Sequence, residues 1–202
     1  SELGAKDFAL KKNILNFNSY TTSLTISPPT ASGVSICSGS TATLTVTSSI
    51  SGILRWYNSS TGGTPIYEGI NSSDSTYTTG NLSTSTSYWV EEFDGSDSSS
   101  RTEVVVTVVT PPNSGDLTGT QSICVSGTTT FISDGDVTGT WSSVNTSVAT
   151  VDGSGEVTGL ASGTTTIRYI VAGSGGCSND TATRTVTVTA APVAGSLSGT
   201  QS

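Results

Sequence analysis

Histidine and methionine are absent from this 202-residue chain, cysteine occurs three times, and Lys and Arg together number only seven. Each shortage removes a class of function. Without histidine the usual general base and zinc ligand is missing, and Cys37, Cys124 and Cys177 lie far apart with no CxxC spacing, so zinc has no ligand set. Seven scattered basic residues against fifteen acidic ones leave a net charge of −8. No basic stripe exists to neutralise phosphates, which excludes nucleic-acid binding. No apolar run approaches the roughly 20 residues of a membrane-spanning helix. A start at Ser1 without a leader is what a processed or excised piece would show.

What is present is Ser, Thr and Gly, with the β-branched residues gathered into regular patches. Hydrophobic residues make up 33% and charged residues 11% of the chain. Disorder pairs low hydrophobicity with high net charge, so the low charge and the patches point to an all-β fold with Thr and Ser facing outward. Alternation carries this reading. Ala42, Leu44 and Val46 alternate with threonines, Ile53 to Tyr57 carries Trp56, and Ser87 to Phe93 and Arg101 to Val109 form a closing pair. Further on, Thr128 to Ile132 and Thr140 to Ser142 read as strands, the latter with Trp141 pointing inward. Ala149 to Val151 and Glu156 to Thr158 pair across Asp152-Gly153-Ser154-Gly155, a strong turn signal. Thr165, Ile167, Tyr169 and Val171 share one face, as do Val186 and Val188.

Proline punctuates this pattern. Ser27-Pro28-Pro29, Thr110-Pro111-Pro112 and Ala191-Pro192 each follow a strand-like run that proline cannot continue. Residues 112–122 (PNSGDLTGTQS) align with 192–202 (PVAGSLSGTQS), and repetition at this spacing means an array of modules. The expected organisation is an N-terminal segment or end of a preceding unit over 1–30, one module over 31–111, a second over 112–191, and the start of another repeat over 192–202. A further module is expected beyond Ser202. The basic-apolar stretch Ala5 to Asn18 is read as the tail of a preceding unit in preference to a docking arm.

The cysteines are expected to be structural. Cys124 precedes the first core strand of the second module and Cys177 precedes the last, so these two are paired. Such a bond would contribute about 3–4 kcal/mol in the chain-entropy account. Cys37 is then a free or externally paired thiol.

The run from Trp141 through Val148-Ala149-Thr150-Val151 and Gly155-Glu156-Val157-Thr158-Gly159 to Gly163 resembles bacterial immunoglobulin-like group 2 domains. The first module, with SICSGSTATLTV, Trp56-Tyr57, Gly62-Gly63, the STSYWVEE strand and Ser100-Arg101-Thr102, resembles another immunoglobulin-like type found beside such repeats in large Bacteroidota surface proteins. That type commonly has a cysteine just before the SxR step. Here the stretch is Ser96-Asp97-Ser98-Ser99, so Cys37 lacks the family's usual partner. The resemblance implies tandem immunoglobulin-like β-sandwiches joined by short Pro-containing linkers, in a type 9 secretion substrate displayed on the cell surface, similar to gliding-motility adhesins.

Candidates for chemistry are few. Glu91 and Glu92 are adjacent on a strand, point to opposite faces, and are read as solvated charges, with no catalytic role. Asp94 and Asp97 in one loop, Asp134 and Asp136 in another, and Asp152 in a third offer oxygen ligands to Ca²⁺. Asp beside Gly is also ordinary turn chemistry, and that reading is preferred, so no cofactor is expected. Trp56, Tyr88, Trp141 and Tyr169 fall on the apolar side of their strands, whereas Trp89 lies opposite Tyr88 and is the candidate binding aromatic. Ser75 and Thr181 sit in Asp-Ser/Thr motifs that resemble sites of O-glycosylation.

The expected function is that of a stalk or filament segment in a secreted surface adhesin, holding a distal binding region away from the cell; no enzyme activity is expected. Neighbouring repeats of the same chain are the expected partners, with surface polysaccharide or an outer-membrane partner as further candidates. The alternatives are a glycan- or protein-binding module, an accessory region of a secreted glycan-degrading enzyme, or a phage tail component.

Overall fold

A computed structural model describes residues 26–48, 52–70, 75–193, 195–196 and 198–199. The basic-apolar stretch 5–18, and most of the 1–30 segment, lie outside the described residues. So does much of 192–202.

Strands β1 (Thr30–Ala31), β2 (Val34–Cys37), β3 (Thr43–Thr47), β4 (Ile53–Tyr57), β5 (Tyr67–Glu68), β6 (Thr76–Thr78), β7 (Thr86–Phe93) and β8 (Thr102–Val109) build the first unit. A five-stranded sheet ordered β2-β8-β7-β4-β5 packs on a three-stranded sheet ordered β1-β3-β6. Their inner faces meet where alternation places apolar side chains: Ala42, Leu44 and Val46 from one sheet, and Leu54, Trp56, Tyr88, Val90, Val104 and Val106 from the other. Leu44, Leu54, Val90, Val104 and Val106 lose all solvent contact, and each such side chain stabilises the fold by about 1.5–3 kcal/mol. The outward threonines of β3, at 43, 45 and 47, remain exposed.

The second unit comprises β9 (Leu117–Thr118), β10 (Ser122–Cys124), β11 (Thr128–Thr130), β12 (Ile132–Ser133), β13 (Thr140–Ser143), β14 (Ala149–Val151), β15 (Glu156–Gly159), β16 (Gly163–Val171) and β17 (Asp180–Thr189). Its sheets are β10-β17-β16-β13, β11-β15-β14 and the pair β12-β9. Ile123, Phe131, Ala149, Val157, Ile167, Val186 and Val188 form its core. The expected hairpin across Asp152-Gly153 is present, with Thr150 opposite Thr158 and Val151 opposite Val157.

Three local expectations change. The run from Thr128 to Ile132 is not one strand, because it breaks at Phe131, with β11 pairing β15 and β12 pairing β9. The break turns the Phe131 ring fully inward, so Phe131 occupies the core centre that was assigned to Trp141. Trp141 is half-buried and leans on Tyr169, with ring centroids 4.6 Å apart. Glu91 and Glu92 are not solvated: they are 7% and 0% exposed. They do point to opposite faces, but the outer face of β7 is covered as well as the inner one.

Tyr169 shows how tightly the second unit closes. Its ring lies where a side chain at residue 139 would be, since a Cβ there would sit 2.2 Å from the ring. Only glycine fits. The phenol donates to the carbonyl of Asp136 (2.6 Å) and accepts the N–H of Gly139 (2.9 Å), tying the preceding loop to β16.

The first long strand of each unit runs parallel to the last: Cys37 lies opposite Val109 in β2–β8, and Cys124 opposite Thr189 in β10–β17. Both cysteines therefore stand at the end of their unit where the chain leaves it.

Candidate functional site at the junction of the two units

After β8 the chain passes through Thr110-Pro111-Pro112, whose prolines cannot extend a ladder, and meets a row of acceptors on the second unit. The N–H of Asn113 donates to Asp136 Oδ2 (2.9 Å). Ser114 donates both its N–H and its hydroxyl to Asp180 Oδ2, at 2.7 and 2.9 Å. The N–H of Asp116 donates to Asp134 Oδ1 (2.6 Å), and Ser133 Oγ donates to the Ser114 carbonyl (2.6 Å). Ser114 is buried. These bonds satisfy a strandless linker's backbone groups, so the linker is held on the second unit as part of its structure. Hydrogen bonds from Ser114 favour the ionised Asp180 carboxylate and hold its pKa below the ordinary 3.8.

A covalent link crosses the same junction. Cys37 at the end of β2 is bonded to Cys177 in the β16–β17 hairpin of the next unit, with Cα atoms 4.8 Å apart. The hairpin tip lies against the first unit: a Cβ on Gly175 would come within 2.7 Å of Val109 Cγ2 and 3.4 Å of Ser35 Cβ. Gly175 also has φ of +55°, a left-handed conformation that glycine adopts without strain. Within the tip, Cys177 N–H donates to the Ser174 carbonyl, and Gly173 N–H to Asn179 Oδ1.

This overturns the expected pairing of Cys124 with Cys177 and the expected free thiol at Cys37. Cys124 is the free, exposed cysteine. The reason is the direction of pairing. Cys124 lies beside Thr189, the last residue of β17, whereas Cys177 precedes Asp180, its first. Ten strand residues span about 33 Å, and a disulfide needs Cα atoms within about 7 Å. Closeness to the first and last strands in sequence said nothing about which ends meet.

The remaining candidate residues are dispersed. Asp94 Oδ1 accepts the N–H groups of Ser96 and Asp97 at 2.8 Å each. Asp152 Oδ1 accepts from Ser154 N, Ser154 Oγ and Glu156 N. These donors lower both carboxyl pKa values, with Asp97 N–H the largest influence on Asp94 and the Ser154 hydroxyl the largest on Asp152. Asp134 and Asp136 serve the linker, and Asp97 is exposed at its loop. Among the described residues, no three His, Cys, Asp or Glu side chains gather as a metal cage would require. Trp89 is half-buried on β7 opposite Tyr57 and Glu103. Ser75 is half-buried and Thr181 exposed.

Glu91 belongs to a polar cluster that sequence reasoning missed. Arg101 Nε donates to Glu91 Oε2 (3.1 Å), and Tyr57 donates its phenol proton to Glu91 Oε1 (2.7 Å). The Arg101 guanidinium lies 3.2 Å from the Tyr57 ring centroid and donates to the carbonyls of Ser59 (2.8 Å) and Gly62 (2.9 Å). Both charged side chains are only about a tenth exposed, at 11% and 10%. The available signal was Arg101 between Ser100 and Thr102 together with Gly62-Gly63. The cluster fastens the loop after β4 to the outer face of the sheet. Catalysis finds no support in it, because every polar atom named is engaged in a structural bond.

Two β-sandwiches in series, with mixed parallel and antiparallel edges and a structured linker, define a tandem of immunoglobulin-like domains. Residues 27–111 match the sequence profile described as "Ig-like domain CHU_C associated", and residues 104–186 that described as "Bacterial Ig-like domain (group 2)". Families of this kind are typically non-catalytic structural modules. Similar solved structures include murine CEACAM1b, at 13% identity over 81% of this chain and 100% of that one, with a TM-score of 0.44. Sidekick-1 immunoglobulin domains 1–4 match at 18% identity over 81% and 49%, with a TM-score of 0.43. Fibronectin(III)-like modules of CbhA from Clostridium thermocellum match at 16% over 85% and 100%, with a TM-score of 0.42. No curated protein matches the chain.

Proposed function

We propose that this chain is a load-bearing spacer: a stalk segment of a secreted, surface-displayed adhesin, with units at 31–111 and 112–191 and no catalytic role. The observation that carries the reading is the Cys37–Cys177 bond. Tension applied to the two ends of the chain enters along residues up to Cys37, crosses the bond, and leaves along β17. The bond spans a sequence separation of 140 residues, and everything inside that span, including β3 to β8 and β9 to β16, is bypassed. Only the edge strands β1 and β2 and the last strand β17 feel the load. The Asp180–Ser114 and Asp136–Asn113 bonds limit bending at the same place. A spacer that neither extends nor folds over keeps a distal binding region at a set distance.

Display on a Bacteroidota-type surface through type 9 secretion, and a part in gliding, follow from the family resemblance. An oxidising compartment is in keeping with the disulfide. The described residues contain no helix long and apolar enough to cross a membrane. O-glycans on Ser75 or Thr181 are a further part of the proposal; contact with surface polysaccharide through Trp89 belongs to the alternative reading, a glycan-binding module. Calcium at Asp94, Asp97, Asp134, Asp136 or Asp152 is not part of it.

Single-molecule pulling tests the reading. Oxidised protein should release chain only from outside the 37–177 span, and addition of a phosphine reductant should free the whole span. Equal extension in the two conditions would refute the load path. Binding of the isolated chain to surface glycans, lost on Trp89→Ala, would favour a binding module over a spacer.

A further inference from the structure

Cys37 and Cys124 occupy the same place in two copies of one design. Each ends the strand that runs parallel to the last strand of its unit, opposite Val109 in one case and Thr189 in the other. The backbone around them matches bond for bond. The N–H after each cysteine donates to the carbonyl of that opposite residue: Ser38 to Val109 and Val125 to Thr189, both 2.9 Å. Each cysteine carbonyl accepts from the residue three further on, Ser40 (3.0 Å) and Gly127 (2.9 Å). The residue between is left-handed in both turns, Gly39 at φ +84° and Ser126 at φ +66°, and Ser126 is the one non-glycine with positive φ among the described residues. Holding a serine in that conformation costs free energy, so the turn is maintained in the second unit by its surroundings.

In the first unit this turn presents its cysteine to a hairpin of the next unit, and the two are bonded. In the second unit the turn presents Cys124 outward, as a free thiol. The linker that follows, from Pro192, repeats the one that follows Pro112, with the Gly, Leu and GTQS in register. Proline, linker and cysteine turn therefore recur together.

We propose that Cys124 is one half of a second inter-unit disulfide, whose other half is a cysteine in the last hairpin of an immunoglobulin-like unit following residue 202. This rests on the spacer reading above, in which the chain is part of a longer row. The partner should lie about as far beyond Cys124 as Cys177 lies beyond Cys37, a separation of 140. Its hairpin should carry glycine just before the cysteine, as Gly175-Gly176 precede Cys177, because that tip must lie flat against β10 and β17. Successive bonds would overlap, since Cys124 falls inside the span closed by Cys37 and Cys177. The hairpin of the first unit, Asp94-Gly95-Ser96-Asp97, has no cysteine, so the first unit offers no such bond to a unit before it.

Bond formation removes two electrons from two thiols, so it needs an oxidant, and a thiol–disulfide exchange catalyst in its disulfide form supplies it. The Cys124 thiolate attacks one sulfur of that disulfide, giving a mixed disulfide and a catalyst thiolate. The partner thiolate then attacks the Cys124 sulfur, and the catalyst leaves as its dithiol, holding the two protons and two electrons.

The test is peptide mapping of the full-length native chain, alkylated without reduction and digested at neutral-to-acid pH to prevent exchange. The Cys124 peptide should appear cross-linked to a peptide from the following unit's last hairpin, and unmodified by the alkylating agent. The same treatment of the 202-residue chain should alkylate Cys124 completely. Three results overturn the proposal: an alkylated Cys124 in the full chain, a bond to Cys124 of a second copy, or a following unit without a hairpin cysteine. If the coding sequence holds no unit after residue 202, the spacer reading fails with it. If the units are there and Cys124 is a thiol, only this inference fails.

Discussion

Removing the inter-unit bond should destabilise whichever unit unfolds first, and the size of the effect follows from the geometry. When the second unit unfolds and the first stays folded, Cys37 remains fixed beside Val109. The loop that the bond closes in the unfolded segment then runs from Val109 to Cys177, a separation of 68 residues. Closing a loop of that length restricts the unfolded chain by about 4 kcal/mol in the chain-entropy account. Unfolding of the first unit is subject to nearly the same term, because Cys177 stays near Ser114 through the Asp180 bond. For units of this size, about 4 kcal/mol corresponds to roughly 15–30 °C in Tm. The assay is differential scanning calorimetry of the oxidised chain and of the Cys37→Ser/Cys177→Ser double variant. Trp141 fluorescence, in a background with Trp56 and Trp89 changed to Phe, reports the second unit by itself. The transition that comes first should lose the full term, whereas the unit melting second only lengthens the open loop from 68 to 140 residues and should lose about 0.6 kcal/mol. A shift below about 5 °C in the transition that comes first would refute the argument that the bond acts through loop closure.

Arg101→Ala should cost the first unit about 3–5 kcal/mol, because it leaves the Glu91 carboxylate buried and without its cation; urea unfolding followed at Trp56 measures this, and the second unit's transition should not move. At high pH the first unit should weaken before the second. Burial raises the phenol pKa values of Tyr57, Tyr77 and Tyr88 above the ordinary 10.0, with Glu91 adding to the effect at Tyr57 and Tyr77 at Tyr88. Their contribution is complete below pH 10 and disappears as pH rises through the higher folded values; a tyrosinate absorbance titration run beside circular dichroism tests it, and phenols that ionise normally in the folded state would contradict it. In the bond-free background, Asp180→Ala should let the two units tumble more independently in NMR relaxation. The same loosening should appear in acid, since Asp180 has a depressed pKa: the pin is complete above 3.8 and is lost as pH falls through the lower folded value. Unchanged relaxation between about pH 5 and pH 2 would count against it.

The core was legible in the sequence because a strand's period of two sorts side chains onto faces without reference to anything distant. Ala42, Leu44, Val46, Ile167, Tyr169, Val186 and Val188 were all placed by alternation, and all are buried. The Asp152-Gly153 hairpin was legible for the same reason, since its turn and its register are set within ten residues. Phe131 was not, because a strand that changes sheets breaks the period that identifies it. Glu91 and Glu92 were misjudged because alternation gives the face and not what covers it. Arg101 and the Tyr57–Gly62 stretch are about 40 residues apart, and only folding brings them together over β7.

What the sequence determined by itself was therefore the unit: its strands, its apolar faces, its proline borders and its repetition. What only the tertiary structure decided was how units are joined. Whether Cys37 or Cys124 meets Cys177 depends on the first strand running parallel to the last, which places both cysteines at a unit's exit, and on the next unit's hairpin reaching back to that end. Composition and spacing do not encode strand direction. The same parallel pairing that leaves Cys124 far from Cys177 brings Cys37 to it.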